Sequence, residues 1–438
     1  MKRAIGGVCL LAGLLVAGPA RGQHTAADTA TTSFTVDHVP VILHRNSAND
    51  VVAANVYLLG GTRQLTAQTA GIEALMLNAS EGGTRRFSRA RLRAITARTG
   101  ATIVVNPSVD WTAFGLRTLR QAFDTSWAVF ADRLVSPRLD STDVERARRQ
   151  MITGVLQSNA DPDVTVAHLA DSLLYANHPY QLDPNGTAAS LRAITPAAVR
   201  AYHDRQVVQS RLLVVIVGNI SRGAVERAVH MTLGTLPVGS YVWEPPPALT
   251  PAAQHLAQLS RPLPTNYILG YYAGPSAGTP DYAALRIASA VLSGRMFAEV
   301  RSREHLAYAV EAPFLEQAIG VGGLYVTTTD PAAALTAMGA EVQRLKTSLV
   351  DPAGLTALIG QFITDYFLKN ETNADQASFL ARAQLYDGDY RRAAEFVTSL
   401  RTVTPEDIQR VAVQYMHDIR FGFVGDTTLV PPWLGTRF

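Results

Sequence analysis

The sequence predicts an α+β fold made of two homologous halves, and three observations lead to this prediction. The pattern Leu-Arg-x-Ile/Val-Thr-Pro opens a helix near residue 191 and again near residue 400, and an apolar strand ending in Val-Gly follows each time. Strands and helices alternate in the same order around both copies. A Pro-rich segment at residues 241–262 lies between them. A repeated order of elements on both sides of a linker indicates a duplicated α+β unit.

Local signals define the elements of each half. Thr195 and Thr404 are predicted helix N-caps, because each precedes a proline that suits the first helical position. The first half is predicted to contain strands at residues 33–44, 51–61, 101–108 and 111–119, helices at 71–80 and 88–100, and longer helices between 121 and 205. The second half is predicted to contain strands at residues 267–274, 306–312 and 322–330, a helix at 280–294, and further helices between 331 and 416.

The amino terminus has the pattern of a secretory signal. Lys2 and Arg3 precede an apolar run, and small residues near Gly22 suit cleavage. We therefore expect a signal peptide at residues 1–22, a first domain at 23–240, a linker at 241–262 and a second domain at 263–438. No later run reaches the roughly 20 apolar residues of a membrane span.

Composition excludes several classes of function. Without the three basic residues of the predicted signal peptide, the chain has as many basic as acidic residues, which gives no basic surface for nucleic acid. The only cysteine, Cys9, lies in the signal peptide, so the mature chain cannot use thiols for disulfides, catalysis or metal binding. Arginine far outnumbers lysine and alanine is abundant, which is typical of a GC-rich bacterial genome. The expected location is the periplasm.

The helix predicted from GIEALMLNAS carries an apolar stripe, which is typical of a core helix. It follows a Gly-Gly-Thr strand end and precedes Gly83-Thr84. In this setting the chain resembles the inverzincin metallopeptidases, the group of insulinase, pitrilysin and the mitochondrial processing peptidase. Their helix carries His-x-x-Glu-His, which binds zinc and supplies a general base.

The resemblance implies that this chain has lost the zinc site. Aligned through Gly71, the two histidine positions of the motif fall on Ala74 and Asn78, and the glutamate position falls on Leu77. The third ligand of the family, a glutamate on a later helix, falls on Gly154. None of the ten histidines belongs to a His-x-x-x-His or His-x-x-Glu pair. We expect no metal or other cofactor in this chain.

The stretch SGRMFAEVRSREHLAYAV carries the second resemblance. The pattern predicts one apolar helical face, formed by Met296, Phe297 and Val300, and one face of the following strand, formed by Leu306, Tyr308 and Val310. Arg301 near the helix end and Tyr308 can therefore converge. The stretch looks like the Arg/Tyr pair of the family, which implies contacts to substrate carbonyl groups and to the developing oxyanion. The alternative is a solvated helix-end cation and an ordinary half-buried strand tyrosine.

Two further residues are candidates for catalysis, but their neighbouring sequence does not support a catalytic role. Ser276 satisfies Gly-x-Ser-x-Gly, but a nucleophile elbow requires a helix that starts at the serine, and Thr279 with Pro280 predicts a later start. His178 lies in His-Pro-Tyr, where a histidine is more often structural than catalytic.

The resemblance spans residues 34–430 and sets the functional expectation. It implies two halves with mixed, mostly antiparallel sheets and packed helices, facing each other across a chamber. The leading hypothesis is a zinc-free subunit of a periplasmic heteromeric peptidase, in which a homologous partner carries the zinc and Arg301 and Tyr308 act on the peptide. An inert scaffold or peptide-binding homologue is the alternative. A serine hydrolase using Ser276 is a remote third.

Overall fold

The structure, a computed structural model, describes residues 31–434 and 436 of the chain. Two sheets packed with helices form its core, which confirms the α+β class. The predicted signal peptide at residues 1–22 lies outside the described residues. Within the described part, no helix combines the length and the apolar character that crossing a membrane requires.

Twelve strands and fourteen α-helices occur in the described residues. The strands are β1 Thr31–Val36, β2 Val39–Arg45, β3 Val51–Leu59, β4 Thr102–Pro107, β5 Trp111–Leu119, β6 Leu212–Gly218, β7 Leu256–Ser260, β8 Asn266–Ser276, β9 Ala309–Glu311, β10 Phe314–Leu315, β11 Ile319–Thr328 and β12 Arg420–Gly425. The helices are α1 Ile72–Ala79, α2 Arg89–Thr99, α3 Phe123–Val135, α4 Ser141–Ser158, α5 Pro162–Leu174, α6 Ala188–Ala193, α7 Pro196–Gln206, α8 Arg222–His230, α9 Pro280–Met296, α10 Pro331–Thr347, α11 Pro352–Lys369, α12 Asn373–Tyr386, α13 Arg392–Arg401 and α14 Pro405–Tyr415.

The two sheets repeat one topology. The first has the order β1-β2-β6-β3-β5-β4, and the second has β7-β12-β8-β11-β10, with β9 also paired to β11. In each sheet one parallel pair, β2 with β6 or β7 with β12, stands beside antiparallel neighbours. The duplication predicted from the Thr-Pro helices thus extends to strand order and direction.

The repeated Val-Gly sequence has a steric cause. Gly218 ends β6 at φ +152°, and Gly425 ends β12 at φ +149°. A Cβ on Gly218 would lie 2.9 Å from the backbone of Val52, and one on Gly425 would lie 2.3 Å from the side chain of Asn266. Contacts this short exclude a side chain, so both strands end at a residue that only glycine suits.

The halves exchange one helix each. Helix α5, from the first half, packs on β8 and β12 of the second sheet, where Val166 and Ala170 are fully buried. Helix α12, from the second half, packs on β3 and β6 of the first sheet, where Ala377 and Ala381 are fully buried. Both sheets are therefore covered on a second face by the opposite half. Strand β6 accordingly has no exposed residue.

A buried carboxylate joins the halves at their contact. Asp110, which is 1% exposed, accepts hydrogen bonds from the hydroxyls of Tyr180 and Tyr386 and from the backbone N–H of Ala318. Tyr386 and Ala318 belong to the second half. Burial and then the charge of Asp110 raise the pKa of Tyr386 well above its usual value, so its hydroxyl remains a donor.

The linker differs from the sequence expectation at its end. Leu256–Ser260, within the 241–262 segment that we expected to be linker, forms β7 and pairs in parallel with β12. The preceding residues lie against the first half. The guanidinium of Arg63 lies 4.4 Å from the ring of Trp243, and the backbone N–H of Ala252 donates to Leu173 O at 2.8 Å. Pairing with β12 decides this strand, because Leu-Ala-Gln-Leu-Ser contains no β-branched or aromatic residue and gives little local signal for a strand.

Candidate functional site

Helix α1 lies where the sequence places it, and two of the degenerate zinc positions point into the core. It begins after Gly71, whose φ of +86° favours glycine. Ala74 and Leu77 are each 1% exposed, and Leu77 belongs to the hydrophobic core of the first half. Apolar packing therefore holds these two positions, and neither has a ligand atom to offer.

The other two positions lie at the contact of α1 with α4. The Asn78 amide donates to Ala74 O at 2.9 Å and lies 3.8 Å from the sulfur of Met151 on α4. Gly154, one turn beyond Met151, is exposed, and a Cβ there would meet no atom within 4 Å. A methyl group, an isobutyl group, a carboxamide and a hydrogen atom do not form a zinc donor set. The chain's own residues thus do not fit the metal of the resembled family, and no group of three His, Cys, Asp or Glu side chains suited to a metal occurs in the described residues.

The one acidic residue of α1 belongs to a buried ion pair, which was not expected from the sequence. Glu73 is 3% exposed and forms an ion pair of 2.6 Å with Arg211, which is fully buried. The Tyr202 hydroxyl donates to the same carboxylate at 3.0 Å. Burial, followed by the charge of Glu73, raises the pKa of Tyr202. A glutamate in an otherwise apolar helix is the sequence signal for such a buried pair.

Arg301 and Tyr308 are brought together. Residues Phe297–Arg303, here called the π-helical segment, continue α9 as a π-helix. The Arg301 guanidinium lies 5.5 Å from the ring centroid of Tyr308 and 5.0 Å from that of Phe297. These separations are within the range of cation–π contacts. The predicted convergence of Arg301 with Tyr308 is therefore present in the structure.

The backbone after the π-helical segment produces this contact. His305 has φ +55°, a left-handed conformation that reverses the chain. The backbone N–H of Leu306 then donates to Val300 O at 2.9 Å, and that of Tyr308 donates to Thr327 O at 3.2 Å. A π-helix and a left-handed residue in succession are irregularities that often occur at functional sites.

Two sequence expectations about these residues were wrong. Phe297 is not on the apolar face with Met296 and Val300, since they are fully buried and it is 47% exposed. Tyr308 does not share a strand face with Val310, because β9 begins one residue later, at Ala309. The backbone N–H of Tyr308 donates to Thr327 O just before β9 begins, and the Tyr308 side chain is 83% exposed.

The polar groups of the pair have no partner within the described residues. Arg301 takes part in no ion pair or hydrogen bond there, although most arginines of the chain have a carboxylate or carbonyl neighbour, and the Tyr308 hydroxyl has no hydrogen bond. Arg303, two residues away, is paired with Glu299. The site thus presents a guanidinium and a phenol to solvent with their donors available.

His178 and Ser276 have other surroundings. The His178 ring accepts from the backbone N–H of Tyr180 at 3.1 Å and contacts the carbonyl of Pro247 at 3.0 Å, which attaches the linker to the first half. Burial lowers the pKa of His178. Ser276 ends β8, and α9 begins only at Pro280 with Thr279 as N-cap, so the strand-to-helix turn of a nucleophile elbow is missing at this serine.

Family comparisons match both halves. The family described as Insulinase (Peptidase family M16) matches residues 40–184, and the one described as Peptidase M16 inactive domain matches residues 193–362. The second match contains Arg301 and Tyr308. Together the two matches cover well over half of the chain.

Curated relatives carry both peptidase and non-peptidase names. The chain is 24% identical over 307 residues to the "Uncharacterized zinc protease Mb2805c" of Mycobacterium bovis, covering 67% of this chain and 69% of that protein. It is 22% identical over 279 residues to the "Non-peptidase homolog YmxG" of Helicobacter pylori, covering 62% of this chain and 64% of that protein.

Solved structures share the fold. A protease from Helicobacter pylori superposes with a TM-score of 0.81 at 18% identity, covering 90% of this chain and 99% of that one. A peptidase M16 inactive domain from Pseudomonas fluorescens gives 0.81 at 19% identity, covering 91% and 98%. The periplasmic protease PqqL from Escherichia coli gives 0.75 at 15% identity, covering 95% of this chain and 49% of that one.

Proposed function

The chain belongs to the M16 family of insulinase-like peptidases, and we propose that it is the zinc-free subunit of a heteromeric peptidase. In this proposal a homologous subunit carries the zinc and hydrolyses the peptide, while this chain binds the peptide and stabilises its reacting carbonyl group. The single observation that carries the proposal is the exposed contact of Arg301 with Tyr308, whose donors have no partner in the described residues.

The two side chains suit a developing oxyanion. Attack on a peptide carbonyl places negative charge on its oxygen, and donors already aimed at that oxygen stabilise the charge without reorganising. Arg301 offers N–H donors in a planar fork, and Tyr308 offers one O–H donor. Contact with the ring of Tyr308 keeps the guanidinium near the phenol, so both can reach one oxygen. They are the residues to which we assign substrate and oxyanion contacts.

A sheet edge near α1 suits an extended peptide. Strand β4 lies at one edge of the first sheet, where it pairs with β5 alone among the described strands, and it packs beside α1. Its exposed and half-buried residues alternate along its length. An extended peptide can pair with such an edge through backbone hydrogen bonds, while alternate side chains enter pockets. We propose that the substrate peptide binds along β4.

The proposed location is the periplasm. The basic and apolar amino terminus is the sequence basis for export. The PqqL structure, whose fold this chain shares, is described as a periplasmic protease. Both observations support a site of action outside the cytoplasm.

The test is a hydrolysis assay on a mixed peptide library. The purified chain is assayed alone, mixed with the zinc-motif homologue encoded nearest to it, and mixed in the presence of a zinc chelator. Cleavage in the mixture that the chelator abolishes is the expected result. Cleavage by the chain alone would contradict the proposal that this subunit is zinc-free and inactive by itself.

Two variants assign the residues in the same assay. Arg301→Ala should lower turnover strongly, because it removes the cation that faces the carbonyl oxygen. Arg303→Ala is the matched control, since Arg303 lies on the same π-helical segment but is paired with Glu299. Equal losses in the two variants would contradict the assignment to Arg301.

A second function is favoured by one relative. The name "Non-peptidase homolog" of the Helicobacter pylori protein is the observation that supports a scaffold or peptide-binding role. This role predicts a stable complex in which neither Arg301→Ala nor Tyr308→Phe changes the partner's turnover. A mixture that assembles but cleaves no peptide would favour it over the divided peptidase.

A further inference from the structure

The environment of Arg301 contains an aromatic residue with no role so far. Phe297 is 47% exposed, whereas its neighbours Met296 and Val300 on the same helical turn are fully buried. Its ring centroid lies 5.0 Å from the Arg301 guanidinium, closer than the ring of Tyr308 at 5.5 Å. A half-exposed phenylalanine gains less from burial than a core residue does, so its contact with Arg301 needs an explanation.

We propose that Phe297 is a positioning residue, which together with the ring of Tyr308 holds the Arg301 guanidinium in the orientation that receives a peptide carbonyl oxygen. This role rests on the proposed function, since it concerns the same site. In this role, contacts with two aromatic rings set the orientation of the Arg301 side chain.

Aromatic contacts suit this task better than a carboxylate does. A carboxylate would engage the N–H donors of the guanidinium and neutralise its charge, as Glu299 does for Arg303. A ring attracts the cation through its face and takes none of the in-plane N–H donors. Arg301 can therefore be restrained while its donors and charge stay available for substrate.

The π-helical segment supplies the necessary geometry. Glu304 N donates to Glu299 O at 2.9 Å, an i→i+5 bond of the wider π-helical turn. Phe297 and Arg301 are four residues apart within this segment, so their side chains emerge on one side of it. His305 then turns the chain so that Tyr308 comes to the same guanidinium. Both rings thus reach Arg301 through backbone features next to it.

Restraint of this kind favours catalysis over ground-state binding. A free arginine side chain loses rotamer freedom when it binds, and a side chain already held loses less. Because the donors must meet the oxygen as charge develops, loss of the restraint should lower kcat more than it raises KM.

The first experiment uses the chain alone, without a partner. The side-chain Nε–Hε signal of Arg301 is assigned by its loss in Arg301→Lys and is then recorded in Phe297→Leu, Phe297→Tyr and Phe367→Leu. Phe367, 58% exposed at the end of α11, is the matched control. The ring current predicts that Phe297→Leu shifts the signal, while Phe297→Tyr and Phe367→Leu leave it in place. An unshifted signal in Phe297→Leu would overturn the positioning role whatever the enzyme does.

The second experiment measures kcat and KM of the complex with the zinc-motif homologue. Phe297→Leu should lower kcat about 5-fold, the factor that corresponds to one exposed cation–π contact. KM should change little in Phe297→Leu, and Phe297→Tyr should have the same kcat as the unsubstituted complex. An unchanged kcat in Phe297→Leu, with Arg301→Ala still impaired, would overturn this role and leave the proposed function intact. An unsubstituted complex that cleaves no peptide would overturn the proposed function and this role with it.

Discussion

The two halves have the same sheet order but treat equivalent positions in opposite ways. In the first half, the helix after β3 is α1, where Ala74 and Leu77, two of the positions aligned with the zinc motif, are buried. In the second half, the helix after β8 is α9, which continues into a π-helical segment with an exposed arginine near an exposed tyrosine. The aligned positions of the first half offer no zinc donor set, whereas the polar groups of Arg301 and Tyr308 in the second half have no partner in the described part of the chain.

This difference shows which forces hold each region. Apolar burial and the Glu73–Arg211 pair hold α1, so its fold does not depend on a metal. The site of the second half is held by backbone irregularities, and its polar groups are not needed for packing. Substitutions in α1 should therefore affect stability, and substitutions of Arg301 or Tyr308 should affect activity.

The largest expected effect is on stability, at Leu77. Leu77→Glu should lower the free energy of unfolding by about 4 kcal/mol, because it removes a packed side chain and buries a carboxylate without a partner. The measurement is denaturant unfolding followed by circular dichroism. Leu156→Glu, the same change at a 52% exposed leucine on α4, is the control and should be nearly neutral. Similar losses at both positions would contradict the view that packing holds α1.

The opposite result is expected at Tyr308. Tyr308→Phe should leave unfolding and complex assembly unchanged but lower turnover of the complex by ~10², the usual loss for one oxyanion donor. Turnover is measured with saturating peptide, and assembly by size-exclusion chromatography. Tyr390→Phe, between α12 and α13, serves as the control. Unchanged turnover in Tyr308→Phe would remove the phenol from the mechanism.

A pH effect is expected from α5, the helix that the first half contributes to the second sheet. Burial, followed by repulsion from Asp183, raises the pKa of Asp171 from 3.8 to about 7. The folded state then binds more protons than the unfolded state between these values, so stability falls as pH rises from about 4 to about 7 and is level above.

Asp171→Asn removes this dependence. A pKa shift of this size corresponds to about 4 kcal/mol, but Asp171 is only half-buried and solvent screens part of it. The free energy of unfolding of the variant should therefore exceed that of the unsubstituted chain by on the order of 1–2 kcal/mol at pH 8, and the difference should vanish below about pH 4. Unfolding at a series of pH values measures it. Ser172→Ala, at an exposed position on the same helix, removes no titratable group and is the control. A difference that is constant with pH would show that Asp171 does not titrate in this range.

The smallest effect is expected at the third ligand position. Gly154→Ala should raise the free energy of unfolding by about 0.5–1 kcal/mol, because alanine favours the helix and its methyl group meets open space. Gly71→Ala is the contrasting control, since it places a methyl group 2.6 Å from Asn185 O at a positive φ and should destabilise. Thermal unfolding compares the two. Destabilisation by Gly154→Ala would contradict the absence of a steric contact at this position.

Local features of the fold were predictable from the sequence. Ser88 and Gly100 bound α2 as expected, and Thr195 and Thr404 cap their helices by accepting backbone N–H bonds. These signals depend on a few neighbouring residues, because a cap is completed within one turn. The convergence of Arg301 with Tyr308 was also predictable, since the two residues are only seven positions apart in the sequence.

Features that depend on distant partners were not predictable. Asp110 lies between two predicted strands, where a solvent-exposed loop residue is expected. In the structure it is buried between the halves and accepts hydrogen bonds from Tyr180 and Tyr386. The apolar residues of α5 and α12 predict that these helices are buried, but they do not indicate against which sheet each helix packs. Phe297 was expected in the core, because periodicity assumes a regular helix and the π-helical turn changes which residues face inward.

The sequence by itself determined that this chain has duplicated α+β halves, that the positions aligned with the zinc motif hold no histidine or glutamate, and that an arginine and a tyrosine lie within reach of each other. Residue identity and short-range spacing suffice for these conclusions. The tertiary structure alone decided the exchange of α5 and α12, the pairing of β7, and the aromatic contacts that leave the Arg301 donors available. These depend on contacts between residues far apart in sequence, which no local pattern specifies.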